Sequence, residues 1–96
     1  MKESKFQKDL KKQLKIIFPG IIIMKQDATQ IQGIPDLVLF YKNKYAMLEC
    51  KESATASHRP NQDYYISMFN NWSYASFIYP ENVSQVIEEL KEVFRC

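Results

Sequence analysis

Hydrophobic residues recur over the first turns of the chain with the spacing of one helix face. They lie four, four and three residues apart, at Phe6, Leu10, Leu14 and Ile17. Pro19 and Gly20 then interrupt the pattern, as residues that end helices do. We therefore predict a helix over residues 2–17. A separate basic stripe faces away from the apolar one and consists of Lys5, Lys8, Lys12 and Lys15.

Three short apolar segments follow, and each predicts a β-strand. They cover residues 21–25, 36–41 and 45–51. The middle segment is apolar almost throughout, which is typical of a strand that is covered on both faces. Residues 26–34 are polar and predict a loop, with Gly33 as a turn residue. Because residues 42–44 form a short polar turn, we predict that the second and third strands make a hairpin.

The last part of the chain predicts a helix, a strand and a closing helix. Pro60 suits the first position of a helix that runs to about residue 70. Residues 74–79 predict a fourth strand, which Pro80 stops. The closing helix has an apolar stripe at Val83, Val86, Ile87, Leu90 and Phe94. The order α-β-β-β-α-β-α, with a crossover helix before the fourth strand, predicts an α/β fold with a mixed sheet flanked by helices.

Composition supports one globular domain over residues 1–96. Hydrophobic residues make up 46% of the chain and charged residues 25%, which argues against disorder. No run of about 18 apolar residues is present, so we expect a cytoplasmic protein with no membrane partner. Cys50, Cys96 and the one histidine give neither a disulfide framework nor a zinc site.

The net charge of +2 conceals an asymmetry along the chain. Residues 1–48 contain nine lysines and four acids, a net charge of +5, whereas residues 49–96 contain four basic residues and seven acids, a net charge of −3. The basic half is a candidate surface for a polyanion such as DNA. A solvated helix face would have the same composition.

Acidic residues stand at the ends of two apolar strands. Residues two apart in a strand share a face, so Glu49 and Lys51 point to the same side of the sheet. If the turn takes four residues, 41–44, then Phe40 pairs with Tyr45 and Asp36 faces Glu49. A turn over residues 43–44 would instead set Asp36 opposite Lys51, and a three-residue turn would put it on the other face, opposite Cys50.

Two carboxylates and a lysine at one end of a sheet suit a hard divalent cation, because oxygen ligands favour Mg²⁺. Such an ion activates water and neutralises phosphate, which phosphodiester hydrolysis requires. An alternative is a surface Glu–Lys pair beside a turn-forming aspartate. The residues by themselves leave both interpretations open. Glu3 adds to the first, since its spacing from Phe6 and Leu10 puts it on the inward side of the first helix.

The segment Gly33-Ile34-Pro35-Asp36, then a hydrophobic hairpin, then Glu49-Cys50-Lys51, resembles the PD-(D/E)xK nuclease superfamily. The compact arrangement is similar to the virus-type replication-repair nuclease (VRR-NUC) domain, whose stand-alone phage and bacterial members are Holliday-junction resolvase-like. The resemblance implies a restriction-endonuclease-like fold over nearly the whole chain.

The resemblance also implies a role for each matching residue. Asp36 and Glu49 match the metal-binding acids, and Cys50 would lend its backbone carbonyl as a further ligand. Lys51 matches the catalytic lysine, and Gln62 a polar residue that orients water or substrate. Glu3 matches a helix-borne glutamate that often completes the metal site. The implied cofactor is Mg²⁺, with Mn²⁺ as a substitute.

Together these observations predict a Mg²⁺-dependent, structure-selective DNA endonuclease that acts on branched DNA such as four-way junctions, in recombination or repair. Resolving a junction takes two symmetric cuts, which predicts a homodimer whose interface uses residues 64–79 or the closing helix. His58 and Arg59 join the lysine stripe as candidate DNA contacts. The alternatives are a duplex repair or restriction-type nuclease and a catalytically silent DNA-binding module. No glycine-rich phosphate loop is present, so no nucleotide cofactor is expected.

Overall fold

A four-stranded mixed sheet forms the centre of the fold. The computed structural model describes residues 2–95, and their elements follow the order α-β-β-β-α-β-α that the sequence predicts. The strands are β1 (Ile22–Lys25), β2 (Leu37–Tyr41), β3 (Lys44–Cys50) and β4 (Ala75–Ile78). The helices are α1 (Glu3–Ile17), α2 (Gln62–Trp72) and α3 (Val83–Val93).

The strands lie side by side in the order β1-β2-β3-β4. The pairs β1–β2 and β2–β3 are antiparallel, whereas β3 and β4 are parallel. The parallel pair follows from α2, which carries the chain back along the sheet between β3 and β4. No described helix, among residues 2–95, is long and apolar enough to cross a bilayer.

The hairpin of β2 and β3 has the register that puts Asp36 and Glu49 together. Phe40 pairs with Tyr45, and Leu37 pairs with Leu48, so the next pair outward is Asp36 and Glu49. The chain reverses over residues 42 and 43, with Lys42 at a φ of 58°. This confirms the first of the three predicted registers and rules out the other two. The turn itself is shorter than the predicted four residues, because Tyr41 also pairs with Lys44.

Helices cover both faces of the sheet. On one face, α1 and α3 bury the main core, in which side chains of alternating strand residues pack against the helices. The apolar stripe of α3 is buried there through Val86, Ile87 and Leu90. That helix therefore has no apolar stripe left for a dimer interface, contrary to the sequence-based expectation.

On the opposite face, α2 packs over β3 and β4 and forms a smaller core around Ile34, Phe69 and Ala75. This is the face to which Glu49 and Lys51 point, because they alternate with the buried Leu48 and Cys50. The helix on this face, α2, begins at Gln62 and brings that residue toward the end of β3. The layer arrangement thus decides which residues meet at the sheet end.

The start of α2 differs from the prediction. Pro60 lies outside the helix, in a turn, and Asn61 adopts a left-handed conformation with a φ of 70° before α2 begins at Gln62. Asparagine tolerates this conformation better than most residues. The turn packs against Gly33, where an added Cβ would lie 2.7 Å from the Asn61 carbonyl carbon. Contact with a distant loop, which local sequence does not reveal, sets this helix start.

Candidate active site

Asp36 and Glu49 lie across from each other at the end of the β2–β3 hairpin, and the carboxylate of each accepts a hydrogen bond from a backbone amide of the opposite strand. The Asp36 backbone amide donates to Glu49 Oε1 over 3.1 Å, and the Cys50 amide donates to Asp36 Oδ2, also over 3.1 Å. Glu49 is only 3% exposed, whereas Asp36 is half-buried. The two carboxyl groups are therefore fixed by the backbone of the opposite strand, and they lie within hydrogen-bond reach of each other.

Lys51 is held beside this pair by two acceptors. Its Nζ donates to Gln62 Oε1 over 2.7 Å and to the Ser57 carbonyl oxygen over 3.1 Å. The side chain is 6% exposed, so its charge is largely withdrawn from water. An ammonium has three N–H donors, and these two acceptors leave one for a ligand in the cavity.

Gln62 connects the lysine to the acid. Its Nε2 donates to Glu49 Oε2 over 3.1 Å, while its Oε1 accepts from Lys51 and from the Arg59 backbone amide. The residue is 7% exposed. Because the amide offers both a donor and an acceptor, it satisfies the carboxylate and the ammonium at the same time. Gln62 therefore fixes the positions of the groups on either side of it.

These groups line a cavity of about 190 Å³ at the end of the sheet. Glu3, from the start of α1, and Arg59 also border it. The loop between β1 and β2 supplies further walls through Ala28, Gln32 and Gly33. The site thus takes residues from α1, from the loops after β1 and β3, from the hairpin and from α2.

The environment disfavours ionisation of Glu49. Burial, followed by the neighbouring charge of Asp36, raises the pKa of the Glu49 carboxyl to about 8, and the attraction of Lys51 offsets only part of this rise. Burial likewise raises the pKa of the free Cys50 thiol to about 12, which makes it an unreactive core residue. Cys96 lies outside the described residues. A cation between the two carboxylates would relieve their repulsion.

The donor set fits a hard divalent cation. Asp36 and Glu49 provide carboxylate oxygens, and the backbone carbonyl of Cys50 belongs to the same strand end, so all three donors are the oxygens that Mg²⁺ prefers. Within residues 2–95, no group of three or more His, Cys, Asp or Glu side chains could hold a metal ion. The candidate site therefore consists of two carboxylates and a backbone carbonyl rather than a cluster of three such side chains.

Glu3 differs from its predicted placement. The sequence interpretation put it on the inward face of the helix, but the side chain is exposed. The buried residues of α1 begin only at Phe6, so the first turn extends past the core. Glu3 still borders the cavity, as a residue of its mouth. Its role as a metal ligand stays a prediction.

The remaining sequence candidates lie on the loop before α2 or on α1, and of the loop pair only Arg59 borders the cavity. His58 Nδ1 lies 2.8 Å from Asp63 Oδ1, and its ring stacks on Phe77 with the centroids 4.0 Å apart. Lys5 forms an exposed ion pair with Asp9. The other candidates on the stripe are exposed as predicted: Lys8, Lys12 and Lys15.

Sequence reasoning missed several groups that shape the site. The Ser57 carbonyl and the Arg59 amide are backbone groups, and no side-chain pattern could reveal their orientation. Asp63 orients His58. The only sequence signal for this contact was that Asp63 follows His58 by five residues. Gln32 lines the cavity from a loop whose path depends on tertiary contacts.

The raised Glu49 pKa leads to a prediction about stability. Between pH 4.5, the ordinary value, and about 8, the folded state keeps a proton that the unfolded chain loses, so wild-type stability should fall as pH rises. Asp36→Asn removes the neighbouring charge and keeps an acceptor for the Cys50 amide. We expect the Tm of this variant to be about 5 °C above that of the wild type at pH 8.5 without metal, and to fall less steeply as pH rises.

Thermal unfolding across pH 4–9, with and without Mg²⁺, measures this effect. Mg²⁺ should raise the Tm of the wild type more than that of Asp36→Asn, since a ligand of the folded state stabilises it. Glu88→Gln removes an exposed charge on α3 and serves as the control. If the Tm of Asp36→Asn fell with pH as steeply as that of the wild type, repulsion between Asp36 and Glu49 would not contribute to the raised pKa.

Comparison with known proteins addresses the fold. No protein-family model matches the sequence, and no curated protein matches it. A solved structure described as "VRR_NUC domain protein" is similar over 97% of this chain and 90% of its own, with a TM-score of 0.68 and 18% sequence identity. The likeness extends over all seven helices and strands named above. The chain therefore has the fold of the virus-type replication-repair nuclease domain, as the resemblance in its sequence implies.

Proposed function

We propose that this protein is a metal-dependent endonuclease that hydrolyses phosphodiester bonds in branched DNA. One observation carries the proposal: Asp36 and Glu49 are fixed together at the sheet end, and Gln62 ties Glu49 to the buried Lys51. Burying like charges and an ammonium costs stability, which a purely structural role would not require. A site for a cation and a phosphate accounts for all four residues.

The chain's own residues have distinct roles in this reaction. Asp36 and Glu49, with the Cys50 carbonyl, would hold Mg²⁺, and Mn²⁺ would fit the same oxygen donors. The bound ion supplies an activated water and neutralises charge on the phosphate. Lys51 lines the cavity, and its remaining N–H donor would stabilise the charge that develops on the phosphate oxygens. Gln62 orients that lysine, and Glu3 stands at the mouth as a further acid.

DNA would approach the end of the sheet where the cavity opens. The start of α1 borders this opening, and its exposed lysines continue away from it along the helix. Arg59 borders the cavity itself, and the preceding residue, His58, is held outside it by Asp63 and Phe77. Contacts of this kind bind the phosphate backbone and carry no sequence information. They suit an enzyme that recognises DNA by shape.

A four-way junction needs two symmetric cuts, and the described chain forms one cavity with the acid pair. A homodimer with two-fold symmetry would supply both. The sequence indicates two candidate dimer interfaces, and the apolar stripe of α3 is buried within the subunit. The aromatic side chains of α2 are therefore the remaining candidate. Tyr64 and Trp72 are exposed there.

Cleavage assays test the proposal directly. The protein is incubated with labelled four-way junction or with matched linear duplex, in Mg²⁺ or in chelator, and its mass is measured by light scattering with and without junction. Metal-dependent nicking of the junction by a dimer is expected. Equal cleavage of both substrates would favour a duplex nuclease, whereas binding without cleavage in any divalent metal would favour the silent module.

The lysine stripe leads to a prediction about binding. Replacing Lys5, Lys8 and Lys12 with alanine should weaken binding to every DNA tested, because these side chains would neutralise phosphates. The slope of log affinity against log salt should become shallower by up to about 2.7, at roughly 0.9 for each phosphate that is no longer neutralised. The preferred DNA structure should not change.

Salt titrations followed by fluorescence anisotropy provide the measurement. Lys91→Ala, on α3, removes one exposed lysine from another part of the surface and is the control. An unchanged slope in the triple variant would place the DNA surface elsewhere on the protein.

A further inference from the structure

A second, largely apolar hollow lies directly beside the candidate active site. It has a volume of about 280 Å³ and lies between the β1–β2 edge of the sheet and the loop that joins these strands. Its apolar walls are Met24, Ile31, Ile34 and Val38. Ile34 also lines the active-site cavity, so the two spaces share this residue as part of their walls.

Two of these walls are poorly explained by folding. Met24 is 54% exposed and Ile31 is 46% exposed, so neither contributes much to the core. Ile31 stands in an otherwise polar segment, between Gln30 and Gln32, at the end of the molecule where the cavity opens. Together with Ile34 and Val38 they line one hollow, and a contiguous apolar surface beside a functional cavity is typical of a binding site.

The loop that carries Ile31 is held in place by its own hydrogen bonds. Asp27 Oδ1 accepts from the Thr29 amide over 2.9 Å, and the Gln30 amide donates to the Asp27 carbonyl over 3.1 Å. At the base of the loop, the Gln26 backbone amide donates to the Asp36 carbonyl over 2.7 Å. The Gln26 side chain donates from Nε2 to the Pro35 carbonyl over 3.1 Å. The hollow is therefore formed before any ligand arrives, which lowers the entropic cost of binding.

The chemistry of the rim favours one kind of occupant. Lys25, Asp27 and Gln30 surround the apolar walls and supply ammonium, carboxylate and amide groups, so the rim can both donate to and accept from the edge of a base. Apolar walls for ring faces, with hydrogen-bonding groups at the edge, are how proteins bind unstacked nucleobases. The volume lies just below the roughly 300–1,000 Å³ of small-molecule sites, which suits a single base.

We infer that this hollow binds a nucleobase that is unstacked from the DNA next to the phosphate in the active-site cavity. The inference rests on the proposed function, since the shared Ile34 wall connects the base site to the phosphate site. Bases in a linear duplex are stacked, and unstacking one costs a few kcal/mol per step. At a branch point the stacking is already interrupted, so moving a base from there into the hollow costs less free energy. The hollow would therefore favour branched over linear DNA.

Binding in chelator, where no cleavage occurs, tests the inference. The probes are a four-way junction with 2-aminopurine at the branch and a linear duplex with 2-aminopurine in the same sequence context. The variants Ile31→Ser and Met24→Ser remove exposed walls of the hollow. Ile16→Ser is the matched control, because Ile16 is 80% exposed at the other end of α1. Melting curves establish that each variant is folded.

We expect wild-type binding to raise 2-aminopurine fluorescence at the branch at least twofold. Ile31→Ser and Met24→Ser should lose this rise and lower the preference for junction over duplex by about tenfold, as expected for removal of one buried apolar side chain from the complex. Ile16→Ser should keep both properties.

Three results would overturn the inference. They are a wild type without the fluorescence rise, hollow variants that behave like Ile16→Ser, and hollow variants that lose a dimer in light scattering, which would make the hollow an interface between copies. The proposed function fails separately, if the wild type binds junctions but does not cleave them with any divalent metal. In that event a fluorescence rise that Ile31→Ser abolishes would still support the base site.

Discussion

Asp36→Asn and Lys51→Ala are each expected to reduce DNA cleavage by about 10²–10³-fold, while binding to the same DNA in chelator stays within a few-fold of wild type. Asp36 is one of two carboxylates available to the cation, and loss of a charge that stabilises the transition state costs two to three orders of magnitude. Binding persists because it depends on lysines distributed along α1. Loss of the Asp36 charge should even tighten it slightly.

Single-turnover cleavage rates and anisotropy titrations measure the two effects separately. Glu88→Gln and Lys91→Ala are charge-matched controls, since both residues are exposed on α3 and pair with each other. Asp36→Asn should be at least as stable as the wild type, so a lost rate cannot be attributed to unfolding. Near-native cleavage by either variant would mean that the reaction uses other residues.

Gln62→Ala is expected to lower the cleavage rate by about 100-fold and the free energy of unfolding by about 2–3 kcal/mol. The substitution leaves Glu49 Oε2 without its donor and removes one of two acceptors of Lys51. Buried polar groups that lose their partners cost about 1–3 kcal/mol each. A displacement of the lysine by about 1 Å is enough for a loss of this size in rate.

Cleavage rates, corrected for the folded fraction measured by urea unfolding, provide the comparison. Gln85→Ala is the control, because Gln85 is an exposed glutamine whose side chain donates to Glu89, far from the cavity. The cleavage rate of the Gln62 variant should also depend less on pH, over the range in which Glu49 changes from protonated to ionised. A wild-type rate per folded molecule would leave Gln62 with a structural role alone.

The part of the site that could be predicted from sequence is the part that strand geometry determines. The period of two puts Glu49 and Lys51 on one face, and hairpin pairing can bring Asp36 to that face only in certain registers. The structure has one of these registers, with Phe40 opposite Tyr45. The order of elements was predictable for a similar reason, because each element has its own hydrophobic period.

The parts that sequence did not predict depend on contacts between distant segments. The start of α2 shifts from Pro60 to Gln62 because the preceding turn packs against Gly33, and no local signal at Pro60 reveals that contact. Periodicity gave the face of α1 on which Glu3 lies, but it could not show that the first turn extends past the core. In α3, an apolar stripe has the same pattern whether it packs inside the molecule or against a partner.

The contact at Gly33 also limits how this chain can vary. A Cβ at residue 33 would lie 2.7 Å from the Cβ of Asn61 and 2.8 Å from the Pro60 carbonyl oxygen, and glycine further permits the φ of 89° found there. The loop before Asp36 and the turn before Gln62 are therefore in close contact, through Gly33 on one side and the Asn61 Cβ and backbone atoms of residues 60 and 61 on the other. Substitutions at residues 33 and 61 cannot be accepted independently, so related sequences in which residue 33 carries a side chain should have a compensating change in the turn at residues 60 and 61.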